Sequence, residues 1–327
     1  MDEKFAGRGP SGQEGIYGAI DLGTNNCRLL IVRPRPNGFR VIDAFSRIVR
    51  LGQGVERTGA LDAAAMDRTL AALKICAEKM ARRGVTHVRA VATEACRRAG
   101  NGPEFLARVK AETGLELEVI GAAEEAELAF RGCAPMLAPA VERGLIFDIG
   151  GGSTEITWVD NGARKPRILA WTSLPLGVVA MAERHGGRAV SDTAYGAIRD
   201  RTETLLKPFD QANGIAAAIA AGRVQMIGTS GTVTTLAGIH LGLQRYDRAK
   251  VDGVSIARPD LEAVEAEIRA MPYEQRVAHG CVGPGRADLV IAGCAILAGI
   301  MRTWPGERLL VADRGLREGL LLTLMAA

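Results

Sequence analysis

The sequence predicts an α/β protein built as two similar lobes. Strand and helix patterns alternate along the whole chain, aromatic residues make up only 4% of it beside 40 glycines, and an Asp-x-Gly pattern recurs 127 residues after its first appearance, at Asp21 and Asp148. Sparse aromatics with abundant small residues favour closely packed helices and sheets over an aromatic-rich β-sandwich. A length of 327 residues fills two domains more comfortably than one.

The first half reads as a meander, with strands over 17–21, 27–32 and 39–48 joined by a glycine-containing turn and by a turn over 34–38. An amphipathic helix follows over 61–83, because Leu70, Leu73, Ala77 and Met80 recur on one face and Gly84 stops the run. A strand over 87–92, a helix over 103–113, a strand over 115–120 and a helix over 124–133 complete the unit. Beyond Pro135 and Pro139 a comparable order restarts, with strands over 144–148, 154–159 and 168–173 followed by helices. A strand over 225–228, a helix over 232–243, a mixed stretch, a helix over 286–303, a strand over 308–312 and a helix from Arg314 close the chain. Matched orders around "AIDLGTNN" (19–26) and "IFDIGGGST" (146–154) point to an internal duplication.

Lys plus Arg exceed Asp plus Glu by 41 − 37 = 4, and the excess is scattered without a continuous basic tract. That suits a phosphorylated small substrate better than DNA. The six cysteines form no CxxC pair and sit in apolar segments, which fits reduced core residues in a reducing cytoplasm. The four histidines show no metal-ligand spacing. Residues 1–15 lack an apolar stretch and are expected to be a disordered tail, and the longest apolar run, 289–301, is too short to cross a bilayer. No membrane segment is expected, and assembly as a homodimer is left open.

A strand ending Asp-x-Gly before a tight hairpin brings a carboxylate and unshielded backbone amides to one sheet edge, since glycine lets backbone approach a ligand closely. The first such loop offers Gly23, Thr24 and Asn25 for phosphate binding, and the second offers Gly150, Gly151, Gly152 and Ser153. Both join strand to strand, unlike a P-loop or dinucleotide fingerprint, where the glycine turn opens a helix. An ordinary β-turn is the competing reading of either loop taken alone, and two copies weaken it.

Seven motifs in order, "DLGTNNCRLLIV" (21–32), "ATEACRRAGN" (92–101), "GAAEEAELAFRG" (121–132), "FDIGGGSTEI" (147–156), "GTSGTVTTLAG" (228–238), "GRADLVIAG" (285–293) and "RGLREGLL" (314–321), resemble the exopolyphosphatase and guanosine pentaphosphate phosphohydrolase (Ppx/GppA) family. The resemblance spans 17–321. It implies two ribonuclease H-like domains of the actin and sugar-kinase (ASKHA) superfold, over 16–123 plus 313–327 and over 124–312, with the active site in the cleft between them. It also implies a divalent metal, usually magnesium.

Residue by residue, Glu125 looks like the carboxylate that orients and deprotonates the attacking water, with Glu124 as rival, although paired glutamates in a first helical turn are also ordinary favourable charges. Asp148 is similar to the family's metal-linked aspartate, with Glu155 and Asp21 as further metal partners; a strand-end Asp that only accepts turn amides is the plainer use. Arg97 falls on the family's arginine position and would fork onto phosphate oxygens. Thr229, Ser230 and Gly231, with Thr232, would grip a guanosine or a distal phosphate, or one of the hydroxyls would only cap the next helix.

This chain departs from the pattern with Glu127 where relatives carry Arg and with Asn26 for Ser. It also lacks the helical C-terminal extension of longer relatives, so terminal hydrolysis is expected more firmly than processive digestion. The implied substrates are inorganic polyphosphate and guanosine pentaphosphate. A kinase of the same superfold and a non-catalytic sensor of polyphosphate or alarmone are the readings from other classes.

Overall fold

The computed structural model describes residues 15–36 and 38–326; apart from Gly15, the expected N-terminal tail lies outside the described residues. The first sheet holds β1 (Tyr17–Leu22), β2 (Asn26–Arg35), β3 (Gly38–Ile48), β4 (His87–Ala92) and β5 (Glu118–Val119), in the order β3-β2-β1-β4-β5. The second holds β6 (Arg143–Ile149), β7 (Thr154–Asp160), β8 (Arg167–Leu174), β9 (Val224–Thr229), β10 (Ser255–Ala257) and β11 (Arg308–Ala312), in the order β10-β11-β9-β6-β7-β8. In both, an antiparallel meander is extended by parallel strands on the far side of its first strand. This ribonuclease H-like order occurs twice, with β10 as an extra antiparallel edge.

Side chains alternate across a strand, so β1 feeds two cores. Ile20 and Leu22 join Leu70, Leu73, Cys76 and Met80 of the helix Ala63–Arg83. That helix starts where the Asp62 side chain accepts the Ala65 N–H and stops at Gly84, which adopts the left-handed φ of 65° that favours glycine. Tyr17 and Ala19 face the other way and meet Leu316, Leu320, Leu321 and Met325 of the last helix, Leu316–Ala326. This helix therefore packs on the first sheet. It crosses the linking helix Ala122–Cys133 so closely that a Cβ at Gly132 would collide with the Gly315 carbonyl, and one at Gly319 with the Leu128 carbonyl.

Several elements differ from expectation. The strand over 115–120 shrinks to β5, which pairs only with Val91 and Ala92 at the end of β4. The motif 92–101 contains an unexpected short helix, Glu94–Arg98. The mixed stretch holds β10 and the helices Arg248–Val251, Arg258–Ala270 and Tyr273–Ala278. The helix expected from Arg286 begins at Val290 after a turn. All six cysteines are free and buried. Among the described residues, no helix is long and apolar enough to cross a membrane.

Candidate active site

The β1–β2 turn is closed by the Gly23 N–H donating to the Asn26 carbonyl at 2.9 Å, and the β6–β7 turn by Gly150 N–H donating to Ser153 at 2.9 Å. The two turns face each other. A Cβ on Gly151 would lie 2.9 Å from Thr24 Cβ and 3.1 Å from Asn25 N, and one on Gly152 would lie 2.6 Å from Thr24 Oγ1 and 2.7 Å from Glu94 Cγ. None of these glycines has a left-handed φ. At Gly151 and Gly152 it is space, not backbone conformation, that requires glycine.

A cavity of about 370 Å³ lies between the lobes, lined by both turns, Asp21, Glu125, Asp148 and Thr229–Gly231. Strand register places the aspartates: Asp21 is the last residue but one of β1, opposite Arg28, and Asp148 the last but one of β6, opposite Glu155. Burial raises the pKa of both aspartates. For Asp148 the Ser230 hydroxyl works against it, and for Asp21 the positive charges of Arg28 and Arg317 do. Glu125 is pushed well above the usual carboxylate range, first by burial and then by the negative charges of Glu155, Asp148 and Asp21, with Arg97 opposing. Glu124 does not line the cavity and pairs with Arg89.

Two expected site residues stand behind the cavity instead of lining it. Glu155 is 3% exposed, accepts a hydrogen bond from the Ser173 hydroxyl at 2.8 Å, and is pushed up to about 7 by burial and then by Asp148. Its place on β7, beyond the turn, separates it from direct contact with a ligand in the cavity. The Arg97 fork is taken up by protein oxygens: Nε and Nη2 donate to Glu94, Nη1 donates to the Ile120 carbonyl at 2.6 Å, and both Nη atoms reach Glu125 at 3.3 Å. It holds Glu125 in place. Thr229 does not cap the helix Ser230–His240; its hydroxyl donates to the Arg314 carbonyl at 2.7 Å. Ser230 carries a left-handed φ of 73°, a conformation that costs a non-glycine residue about 1–3 kcal/mol and clusters at functional sites.

Among the cavity residues that sequence reasoning missed are three arginines, Arg28, Arg286 and Arg317. Among the described residues none of them forms an ion pair with a carboxylate; Arg286 has only a contact of 3.3 Å to the Thr235 hydroxyl. Burial lowers the pKa of Arg286 and Arg317, and the positive charge of Arg28 lowers both further, while for Arg317 the negative charges of Glu318 and Asp21 work the other way. Enclosed cations that no carboxylate contacts directly favour an anionic ligand. All three lie inside motifs quoted above, and the hairpin register alone would have set Arg28 beside Asp21.

Among the described residues, no three His, Cys, Asp or Glu side chains converge to cage a metal. No described His or Cys lines the cavity, and its hard oxygen donors include Asp21, Asp148 and Glu125, together with Asn25 Oδ1 and Asn26 Oδ1, which are buried without hydrogen-bond partners. Such a set fits a magnesium-type cation, which takes a few protein oxygens and completes its shell with water and phosphate.

Residues 30–327 match the sequence model of the Ppx/GppA phosphatase family. The chain belongs to that family. Within the Ppx/GppA family, it is similar to exopolyphosphatase 2 of Mycobacterium tuberculosis, at 34% identity over 94% of this chain and 97% of the relative. The crystal structure of an exopolyphosphatase from Cytophaga hutchinsonii aligns with a TM-score of 0.84 at 27% identity, covering 95% of this chain and 98% of that one. The Aquifex aeolicus Ppx/GppA family member aligns at 0.76 and 29%, covering 94% and 97%.

Proposed function

We propose that the protein is an exopolyphosphatase, a phosphoric anhydride hydrolase that removes the terminal phosphate of inorganic polyphosphate. The observation that carries the reading is the set of three unpaired arginines, Arg28, Arg286 and Arg317, enclosed with two glycine turns and a base-like glutamate in one cavity. Kinship with exopolyphosphatase 2 supports the same substrate.

Glu125 accepts a proton from the attacking water, whose oxygen forms a bond to the terminal phosphorus while the bond to the bridging oxygen breaks. Orthophosphate and a chain shorter by one unit result. Arg97 fixes the Glu125 carboxylate against Glu94, and the turn amides of Thr24, Asn25 and Gly151–Ser153, beyond those of Gly23 and Gly150 that close the turns, hold phosphate oxygens. The site would hold magnesium through Asp21, Asp148 and the Asn25 and Asn26 amide oxygens, and the ion neutralises charge on the phosphates when bound. Glu155 supports this set from behind through its charge.

The two sheets, with the last helix returning to the first, support lobes over 16–123 plus 313–327 and over 124–312. Six free cysteines and a phosphorylated substrate suit the cytoplasm. Guanosine pentaphosphate is the second candidate, since Tyr246, whose hydroxyl donates to Asp313, lines the same cavity and offers a ring to a base. Phosphate release is to be measured on tripolyphosphate, long polyphosphate and guanosine pentaphosphate, with magnesium and with chelator. Magnesium-dependent release from polyphosphate is expected. Phosphoryl transfer that requires ATP, or tight binding of every substrate without turnover, would overturn the proposal.

A further inference from the structure

The segment between β3 and the helix Ala63–Arg83 lies apart from the proposed base, yet it joins each glycine turn to the opposite lobe. On its own side, Gly52 N–H donates to the Thr24 carbonyl at 2.9 Å, and the N–H groups of Val49 and Arg50 donate to the Asn25 carbonyl at 2.9 and 3.0 Å. The Arg50 side chain then crosses the cleft. Nη1 and Nη2 each donate to one oxygen of Asp288 at 2.8 Å, and Nη2 also reaches the Gly285 carbonyl at 3.3 Å. Asp288 lies two residues past Arg286 in a turn closed by the Arg286 and Ala287 N–H groups on the Gly283 carbonyl, at 3.2 and 3.1 Å. One guanidinium thus connects the first glycine turn to the turn that carries a cavity arginine.

This is no ordinary surface ion pair. Arg50 adopts a φ of 52°, and Ser230 in the cavity wall is the only other described non-glycine residue with a positive φ. The paired side chains are 30% and 20% exposed, and the contact is bidentate, a geometry lysine does not reproduce. A second clasp runs the other way. Glu183 accepts the Gly54 N–H at 3.0 Å and Arg184 pairs with Glu56, both from the end of the helix Val178–Arg184. The first residues of that helix, Val178 and Val179, donate to the Gly150 and Gly151 carbonyls at 3.0 and 2.9 Å.

We infer that Arg50 is a positioning residue: its fork on Asp288 sets the register of the two lobes, so that Arg286 and the first glycine turn converge on the same phosphate group. Arg28 and Arg286 approach from opposite lobes and repel while no anion lies between them, and the Arg50–Asp288 pair holds them together against that repulsion. The inference rests on the proposed phosphohydrolase reading.

The test compares wild type with Arg50→Ala, Asp288→Ala, the double variant and Arg50→Lys. Tripolyphosphate kinetics, thermal melting, and small-angle scattering without substrate are measured on each. Each single alanine variant is expected to lower kcat/KM about 10-fold, mainly through KM, and to expand the scattering profile. The double variant should lose no more than the worse single, and Arg50→Lys should recover only part of the loss. Wild-type kcat/KM in Asp288→Ala, losses that multiply in the double variant, or unchanged scattering in both single variants would each overturn the inference. If Arg50→Ala fails to fold, Asp288→Asn, which keeps the shape and removes the charge, gives the same comparison. Absence of phosphate release by wild type would instead sink the proposed function, and the scattering comparison would still decide on the latch.

Discussion

Replacing Glu125 by Gln removes one proton acceptor from the cavity and keeps a carbonyl oxygen for the two contacts with Arg97 at 3.3 Å. Burial and three neighbouring carboxylates raise the proton affinity of Glu125, so it takes a proton from water more readily than an exposed glutamate does. General-base catalysis contributes ~10²–10⁴-fold, or ~3–5.5 kcal/mol of barrier, and turnover should fall by that factor. KM should stay within about threefold, because the arginines and glycine turns that bind substrate are untouched. The base works only unprotonated. Wild-type kcat/KM should therefore decline as pH drops through the raised pKa, and this acidic limb should vanish from the residual activity of the variant. The assay is phosphate release from tripolyphosphate with magnesium, from about pH 5 to pH 9, with melting curves to exclude misfolding. Glu124→Gln is the control: its side chain is 39% exposed and pairs with Arg89 at the surface, worth about 0–1 kcal/mol of stability and none of the rate. Near-normal turnover in Glu125→Gln, or a collapse confined to Glu124→Gln, would refute the assignment.

Glu155→Gln should stabilise the metal-free protein above neutral pH. The folded pKa of about 7 lies above the ordinary 4.5, so this carboxyl favours the fold below its unfolded pKa and loses that contribution as pH rises through 7. The variant should melt several degrees higher than wild type near pH 8, a gain on the order of 3 kcal/mol, and at the wild-type temperature near pH 4; wild-type melting at both pH values would contradict the buried-charge account. Gly177→Ala places a methyl against the Gly151 carbonyl and the Gly152 backbone although its φ of −122° suits any residue. Displacement of the second glycine turn should cut turnover about 10-fold or more and cost about 1–3 kcal/mol. Gly121→Ala, where a Cβ meets nothing within 4 Å, should leave melting unchanged, and a Gly177→Ala enzyme with normal turnover would remove that turn from the mechanism.

The sequence carried the two meanders, the duplicated Asp-x-Gly turns and the helix Ala63–Arg83, because strand alternation, glycine punctuation and capping are local signals. The orientation of Arg97 was not among them. Glu94 lies three residues earlier, a spacing that matters only once 94–98 is helical, and Glu125 reaches the same guanidinium across 28 positions. Arg286 and Arg317 enter the cavity from segments whose placement depends on the turn before Val290 and on the close crossing of two helices. The short elements between 244 and 285 carry weak patterns of their own, and β10 exists only through its pairing with β11.

The return of the last helix to the first sheet also fixes the order in which this protein acquires its structure at the ribosome. Tyr17, Ala19, Leu30, Val32 and Val91 share a buried cluster with Leu316, Leu320, Leu321 and Met325, side chains made more than 200 residues later. At roughly 5–20 residues per second, translation of the intervening stretch takes about 15–60 s. Throughout that interval this apolar face has only Ile120 and Leu128 against it and lacks its cover from the last helix. A chain halted after β11 keeps the strands bearing Asp21 and Arg28 and loses the lid on their outer face.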